Sequence, residues 1–490
     1  MKMKNSYLVI LLFLAMVFGA ILTYAGIEIL AEDEVKQDDT AKEPIVTTDE
    51  EKKALLEATL GKNEFSKIQQ AYTIIQENYL EDVDQQQLIE GAIQGMLNSL
   101  DDPHSVYMDL ETVEQFNDSI ESSFEGIGAE VNMEEGVVTI VAPIKGSPAE
   151  EAGLKPKDQI LSVDGESLEG LDLYEAVAKI RGEKGSVVDL EIRRPGVSET
   201  MIVEVVRDDI PLETIYSSTK TVDGKKTGVI QITSFSQDTA ADFNKALQEL
   251  EADNIEGLII DVRGNPGGLF TSVEEILENF IPEDQPYVLI EQKNGEKIRY
   301  FSGTKEKKDY PIAVLTNNGS ASASEILAAA MKEAGYDVIG EQSYGKGTVQ
   351  KTIPMNDGSN IKITIYKWLT PSGEWIDEKG VAPTVEAKQP DFFYTTPINV
   401  EEPLKYNMAE DQISNAQIML QGIGYKTGRT DGYFSKETEE AVKAFQQENG
   451  LTVTGEIDKL TAEKLQQQVL EAARDEENDL QMKKALEILY

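Results

Sequence analysis

Residues 311–325, PIAVLTNNGSASASE, lead from an apolar strand through a small-residue turn into the start of a helix. A strand, a turn and a helix in immediate succession make one βα unit, so the turn lies at the C-terminal end of the strand. Three serines, Ser320, Ser322 and Ser324, alternate with alanines there. A serine in such a turn is either a nucleophile or a helix cap. Ala321 and Ala323 leave Ser322 open to a substrate, whereas Ser320 or Ser324 can serve as caps.

Working outward, residues from Thr227 to about Thr384 repeat the βα pattern. The strand GVIQI precedes an amphipathic helix over 239–251. The strand GLIIDVRG runs into Asn265-Pro266-Gly267-Gly268 and a helix around 272–280. YVLIEQ, DVIG and IKITIYKWLTPSG supply further strands. Strands alternating with helices predict an α/β layered core.

Upstream, residues 122–208 form a compact unit of short strands, two short helices and Gly-rich turns. It opens with SFEGIGAEV and GVVTIVAPI, continues with GSPAEEAGLKPKDQILSVDGESL and a helix over 174–181, and closes with VVDLEIRR and SETMIVEVVR. Asp164-Gly165 predicts a tight turn between strands. This arrangement resembles a PDZ domain, a β-barrel-like sandwich with two helices. The resemblance implies that Gly126, Ile127 and Gly128 aim backbone N–H groups at a chain-terminal carboxylate and that the next strand offers a free edge to an extended peptide. Arg181 either adds charge to that groove or is a solvated helix-end cation.

The chain has 490 residues, too many for one core, with 40% hydrophobic and 27% charged residues, an ordinary globular balance. A formal net charge of −44 argues against nucleic-acid binding, which needs a basic footprint. The absence of Cys excludes disulfides and thiol catalysis, and a single His, His104, makes a zinc site unexpected. Two lysines precede an uncharged run from Ser6 to Ile27, long enough to span a bilayer, which predicts a membrane anchor with the rest of the chain extracytoplasmic. Cleavage after Tyr24-Ala25 and secretion is the alternative.

Residues 31–63 read as an acidic, polar linker, followed by two helices with apolar stripes, Ile68, Ile75 and Tyr79 on the first and Ile89, Ile93 and Met96 on the second. The stripes predict packing within their own domain, with a dimer contact as the alternative. LDDPHSVYMDL makes a turn at Asp102-Pro103 that carries His104, read as structural. After a proline-bearing linker, the segment NAQIMLQGIGYKTGRTDGYFSKETEEAVKAFQQENGLTVTGEIDKLTAEKL resembles the three-helix peptidoglycan-binding module. That resemblance implies a cell-wall ligand, with a packing or dimerisation domain as the alternative. The tail reads as a charged amphipathic helix.

A serine nucleophile needs a base within hydrogen-bond reach. His104 has no evident orienting acid, which leaves lysine, and Lys346 in SYGKGTVQ follows the strand DVIG. One helix out and one strand back bring Ser322 and Lys346 to the same end of the sheet. A lysine with its ordinary pKa of about 10.4 is almost wholly protonated at pH 7, so this chemistry requires a dry pocket. Taken alone, Gly-Lys-Gly reads equally as a surface turn, and the P-loop spacing is absent.

NNGSASASEILAAAMKEAG, GEQSYGKGTVQ and DVRGNPGG, with a PDZ-like unit before them, resemble the carboxyl-terminal processing peptidases over roughly residues 64–390. The resemblance implies Ser322 as nucleophile, Lys346 as base, Gln350 as the residue orienting it, and Gly267, Gly268 and the N–H of Ala323 as the oxyanion hole. It also implies peptide substrates recognised at their C-termini, a homodimer as one assembly, and no cofactor or metal. The closing stretch LTPSGEWIDEKGVAPT departs from the family's pattern only in lacking an Asp after Pro383.

The expected fold is multidomain α+β, with an anchor at 1–30, a linker at 31–63 and a helical N-terminal part at 64–121. A PDZ domain at 122–208 is joined to an α/β protease core at 209–390, a linker at 391–408, a three-helix module at 409–470 and a helix at 471–490. The expected activity is that of a serine endopeptidase whose PDZ domain also gates the site. A non-catalytic PDZ and cell-wall scaffold, and an acyl-CoA-type enzyme on a similar core, are the alternatives.

Overall fold

The structure, a computed structural model, describes residues 62–490 apart from 135, 198, 305 and 306. The expected anchor and most of the expected linker lie outside the described residues. The described residues divide into two units, 62–89 and 90–490. The described part of the first is the helix Lys62–Asn78 and the start of the helix Gln85–Asn98. Ile68, Ile75 and Tyr79, expected to pack within the domain, are exposed.

In the second unit the central element is a six-stranded sheet. Its order is Ile215–Val222, Lys225–Ile232, Gly257–Asp261, Ile312–Thr316, Asp337–Gly340 and Val385–Glu386. The first pair is antiparallel and every later pair is parallel. The strands Gly257–Asp261 and Ile312–Thr316 are buried at every position, which is why they read as continuous apolar runs. Alternate side chains face opposite layers. Ile230, Leu258, Ile260 and Val314 pack with the helices Thr239–Ala252, Phe270–Leu277 and Ala323–Glu333. Val229, Ile259, Ala313, Leu315 and Ile339 face the other way, against Met482, Ala485 and Leu486 of the chain's last helix, Leu480–Leu489.

Two expectations are corrected here. YVLIEQ and IKITIYKWL do not join this sheet. Pro286–Glu291, Lys297–Phe301, Thr348–Pro354, Asn360–Leu369 and the short Val106–Met108 form a second, antiparallel sheet. Nor is the tail one helix. The third helix of the C-terminal module ends at Arg474, and Asp475 and Asp479 cap a short turn and a new helix that returns to the core. Burying Met482 and Leu486 contributes roughly 1.5–3 kcal/mol each.

The PDZ domain is an antiparallel sheet of Ala129–Glu134, Val137–Pro143, Gln159–Val163, Val187–Arg193 and Met201–Val206, with helices Pro148–Glu151 and Leu173–Ile180. Asp164 and Gly165 both have positive φ, 51° and 80°, the geometry a two-residue hairpin turn requires. The domain is inserted on a two-stranded stalk, Ser123–Gly126 against Asp208–Pro211. The C-terminal module packs the helices Asp411–Gly422, Lys436–Glu448 and Lys459–Arg474 around Ile413, Phe434, Phe445 and Leu465.

Candidate active site

Adjacent parallel strands place the two expected residues. Thr316 and Gly340 are register partners at the C-terminal ends of their strands, and the chain beyond each carries Ser322 and Lys346. Ligands bind at such strand ends in open α/β sheets.

The three serines separate by environment. Ser320 and Ser324 are fully buried and donate to backbone carbonyls, Ser320 Oγ to Val262 O at 2.8 Å and Ser324 Oγ to Asn265 O at 2.9 Å. Ser322 is half-buried and sits at φ 54°, ψ −112°, immediately before the helix Ala323–Glu333. A non-glycine residue held there stores strain that the surroundings must enforce. Those surroundings are tight. A Cβ on Gly267 would lie 2.8 Å from Ser322 Cβ, and one on Gly268 would lie 2.2 Å from Phe235 O.

The Gly267 N–H donates to Asn265 Oδ1 at 2.8 Å. Among the described residues the amides of Gly268 and Ala323 donate to no protein group. The Ala323 amide also lies at a helix N-terminus, where the backbone dipoles favour negative charge.

Glu325 joins the two halves of the site. Its carboxylate is fully buried. Oε2 accepts from the N–H groups of Ser322 and Lys346, both at 2.8 Å. Oε1 accepts from Ser343 Oγ and the Gly345 N–H, both at 2.6 Å. One side chain therefore fixes the serine turn against the 343–347 loop. The Lys346 carbonyl accepts from Trp368 Nε1 at 2.7 Å, and the Gly347 N–H donates to Asp377 Oδ1 at 2.8 Å. Glu325 was legible only as a residue of the quoted stretch. Trp368 and Asp377 gave no signal.

Burial pushes the Lys346 amine below the ordinary lysine range, and the neighbouring Lys362 cation adds to this. Glu325 and Asp102 oppose the shift. Burial likewise lowers Lys362. His104 reaches the same electrostatic neighbourhood. Burial and the Lys346 cation lower its pKa, against Asp102 and Asp377. The strand Val106–Met108 brings it there by pairing with Asn360–Leu369. Asp102 accepts from the His104 N–H at 3.0 Å and from Ser105 Oγ at 2.6 Å. A cavity of about 1000 Å³ opens beside the loop, lined by His104, Tyr344, Gly345, Thr348, Trp375 and Asp377.

No hydrogen bond joins Ser322 Oγ to Lys346 Nζ among the described residues. Gln350 Nε2 donates to Thr348 Oγ1 at 2.9 Å and to Thr364 Oγ1 at 3.1 Å.

In the PDZ domain Gly126, Ile127 and Gly128 are buried, and the amides of Ile127 and Gly128 donate to no protein group among the described residues. Gly128 has φ 74°, and a Cβ there would lie 2.4 Å from Ser147 Cβ. The Arg181 guanidinium lies 4.9 Å from the Phe124 ring centre, and the Arg181 stem runs beside Gly126. Ala129–Glu134 is an edge strand.

A PDZ domain inserted into an α/β core with this serine turn defines a serine peptidase of family S41. Residues 226–387 match the profile of Peptidase family S41 and 139–194 that of the PDZ domain. Residues 409–465 match a peptidoglycan-binding domain and 16–112 the N-terminal domain of the activating protease CtpB. The chain is 53% identical over 477 residues to the carboxy-terminal processing protease CtpB of Bacillus subtilis (strain 168), covering 97% of each. It is 42% identical over 433 residues to CtpA of the same organism, covering 88% of this chain and 91% of that one. A solved structure, the photosystem II D1 C-terminal processing protease, matches at 28% identity with a TM-score of 0.41, covering 66% of this chain and 87% of that one. The chain belongs to the carboxy-terminal processing proteases of family S41 and is a serine protease, which displaces the scaffold and acyl-CoA-type alternatives.

Proposed function

We propose that this protease is an extracytoplasmic endopeptidase, anchored by the apolar run Ser6–Ile27, in which Ser322 is the nucleophile and Lys346 its general base. The observation that carries this reading is the Glu325 carboxylate, which holds the strained Ser322 turn and the Lys346 loop together. A substrate offers its C-terminal carboxylate to the Ile127 and Gly128 amides, with Arg181 supplying charge, and its chain extends along Ala129–Glu134. The chain then reaches the cavity beside Lys346.

Ser322 Oγ attacks the scissile carbonyl as Lys346 Nζ takes its proton. The tetrahedral oxyanion is held by the amides of Gly268 and Ala323, with Gly267 shaping the approach. Lys346 then gives its proton to the leaving amine, an acyl-enzyme forms on Ser322, and water hydrolyses it with Lys346 again as base. Gln350 orients the amine once it turns from Thr348 and Thr364.

The resting arrangement, with Ser322 and Lys346 not yet hydrogen-bonded, fits a site that closes when substrate occupies the PDZ domain. Catalytic hydrogen bonds commonly tighten only in the bound complex. The stalk 123–126/208–211 is the connection through which occupancy is felt. The C-terminal module takes a cell-wall ligand.

The test incubates unfolded protein with wild type, Ser322→Ala and Lys346→Ala. Cleavage by wild type alone is expected. Cleavage by all three overturns the assignment. Unchanged activity on all substrates in a peptide-binding variant such as Gly128→Ala removes the gating role.

A further inference from the structure

The last twelve residues, 479–490, reach the active-site loop through one ion-pair system. Asp479 caps the final helix, its Oδ1 accepting from the Met482 N–H at 2.9 Å. The same carboxylate grips Arg263 by two bonds, Nη1 to Oδ1 at 2.8 Å and Nη2 to Oδ2 at 2.9 Å. Gln389 Nε2 donates to Asp479 Oδ1 at 2.8 Å, and Arg263 Nη1 also donates to Gln481 Oε1 at 3.1 Å. The other edge of the guanidinium is held by Asp261, with Nε to Oδ1 at 2.9 Å and Nη2 to Oδ2 at 2.6 Å. Its side chain is only 16% exposed. A planar fork can satisfy two carboxylates in fixed directions, which a lysine cannot.

Arg263 opens the loop Gly264-Asn265-Pro266-Gly267-Gly268. The nucleophile turn holds that loop from the other side. The Ala321 N–H donates to Asn265 O at 3.0 Å, and the Gly264 N–H donates to Asn317 Oδ1 at 2.8 Å. The loop has no slack, since Gly267 and Gly268 sit against Ser322 and Phe235 with no room for a methyl group. An oxyanion donor acts only within about 2.7–3.1 Å of the developing charge, so a displacement of about 1 Å removes its effect.

We infer that Asp479 is a positioning residue for catalysis, holding through Arg263 the loop that presents the Gly268 amide to the oxyanion. The C-terminal segment is thereby a working part of the active site as well as a cover for the sheet. The inference rests on the proposed oxyanion role of that loop.

The experiment uses the full chain carrying Asp479→Asn. Asparagine caps a helix as well as aspartate does, so this change removes the charge and keeps the cap. Cleavage of an unfolded protein is measured as kcat and KM, beside thermal melting. The expected result is a kcat of the folded enzyme lowered about tenfold or more, KM within about twofold, and melting lowered by roughly 2–12 °C, since one Arg263 N–H then faces an amide NH2. Arg263→Lys, which keeps the cation and loses the fork, gives the same split and carries the test if D479N does not fold. A kcat within about twofold of wild type in either folded variant overturns the inference. So does a kcat that falls only in proportion to the folded fraction. Failure of the Ser322 assignment shows separately, as cleavage by Ser322→Ala.

Discussion

Glu325→Gln isolates the side chain on which the site's geometry turns. The carboxylate accepts four hydrogen bonds, two at each oxygen, from three amides and one hydroxyl. An amide keeps one accepting oxygen and presents an NH2 in place of the other. Two buried donors are then left facing a donor. Each buried unsatisfied group costs about 1–3 kcal/mol, so the substitution costs roughly 2–6 kcal/mol. In a core of this size about 1 kcal/mol shifts melting by about 2–4 °C, so the transition falls by roughly 4–24 °C. The negative charge that opposes the lowering of Lys346 is also removed. The rising limb of activity against pH therefore moves to lower pH while kcat falls, because the serine turn and the lysine loop lose their common anchor. Calorimetry of the full chain and kcat/KM across pH read both effects. A variant that melts within 1 °C of wild type and retains full kcat refutes the reasoning.

Further outcomes are expected elsewhere. Lys362→Met removes a cation that lowers Lys346, so the amine's pKa rises and the activity limb moves to higher pH; a limb that stays put refutes the electrostatic link. Lys346→Met abolishes cleavage yet melts higher at neutral pH. The folded-state amine has the lower pKa, so the penalty of burying it charged is present at neutral pH and fades as pH rises towards the unfolded value of about 10.4; melting curves against pH check the sign. Gly268→Ala forces a Cβ onto Phe235 O and displaces a proposed oxyanion donor, lowering kcat about 10²–10³-fold with KM little changed. Gly128→Ala, with a Cβ driven into Ser147, weakens binding of a C-terminal peptide to the PDZ domain, measurable by calorimetric titration.

The central βα architecture was legible because fully buried parallel strands read as unbroken apolar runs, and the turn after each strand identified its functional end. The hairpin at Asp164-Gly165 was legible for a local reason, since its residues suit positive φ. Pro286–Glu291 and Asn360–Leu369 were misplaced because β-branched runs suit parallel and antiparallel neighbours equally. Pairing partners far apart in sequence decide between the two. Glu325 was visible only as the last residue of the quoted stretch, and a carboxylate in the first turn of a helix usually reaches back to the cap and no further. Its bonds to residues 343, 345 and 346 depend on how the next strand returns. Arg263 was legible only as a residue of the run GLIIDVRG, because its partner Asp479 lies 216 positions away. His104 was set aside for want of a nearby acid, and only the pairing of Val106–Met108 with Asn360–Leu369 brings it to the lysine.

Mass spectrometry of the enzyme quenched during turnover of an unfolded protein at alkaline pH asks most directly whether a hydroxyl activated by a neutral amine does the chemistry. An acyl adduct mapped to Ser322 in wild type, and lost in Lys346→Ala, is the predicted result. An adduct on another residue, or one that forms on Ser322 at the same rate without Lys346, contradicts it.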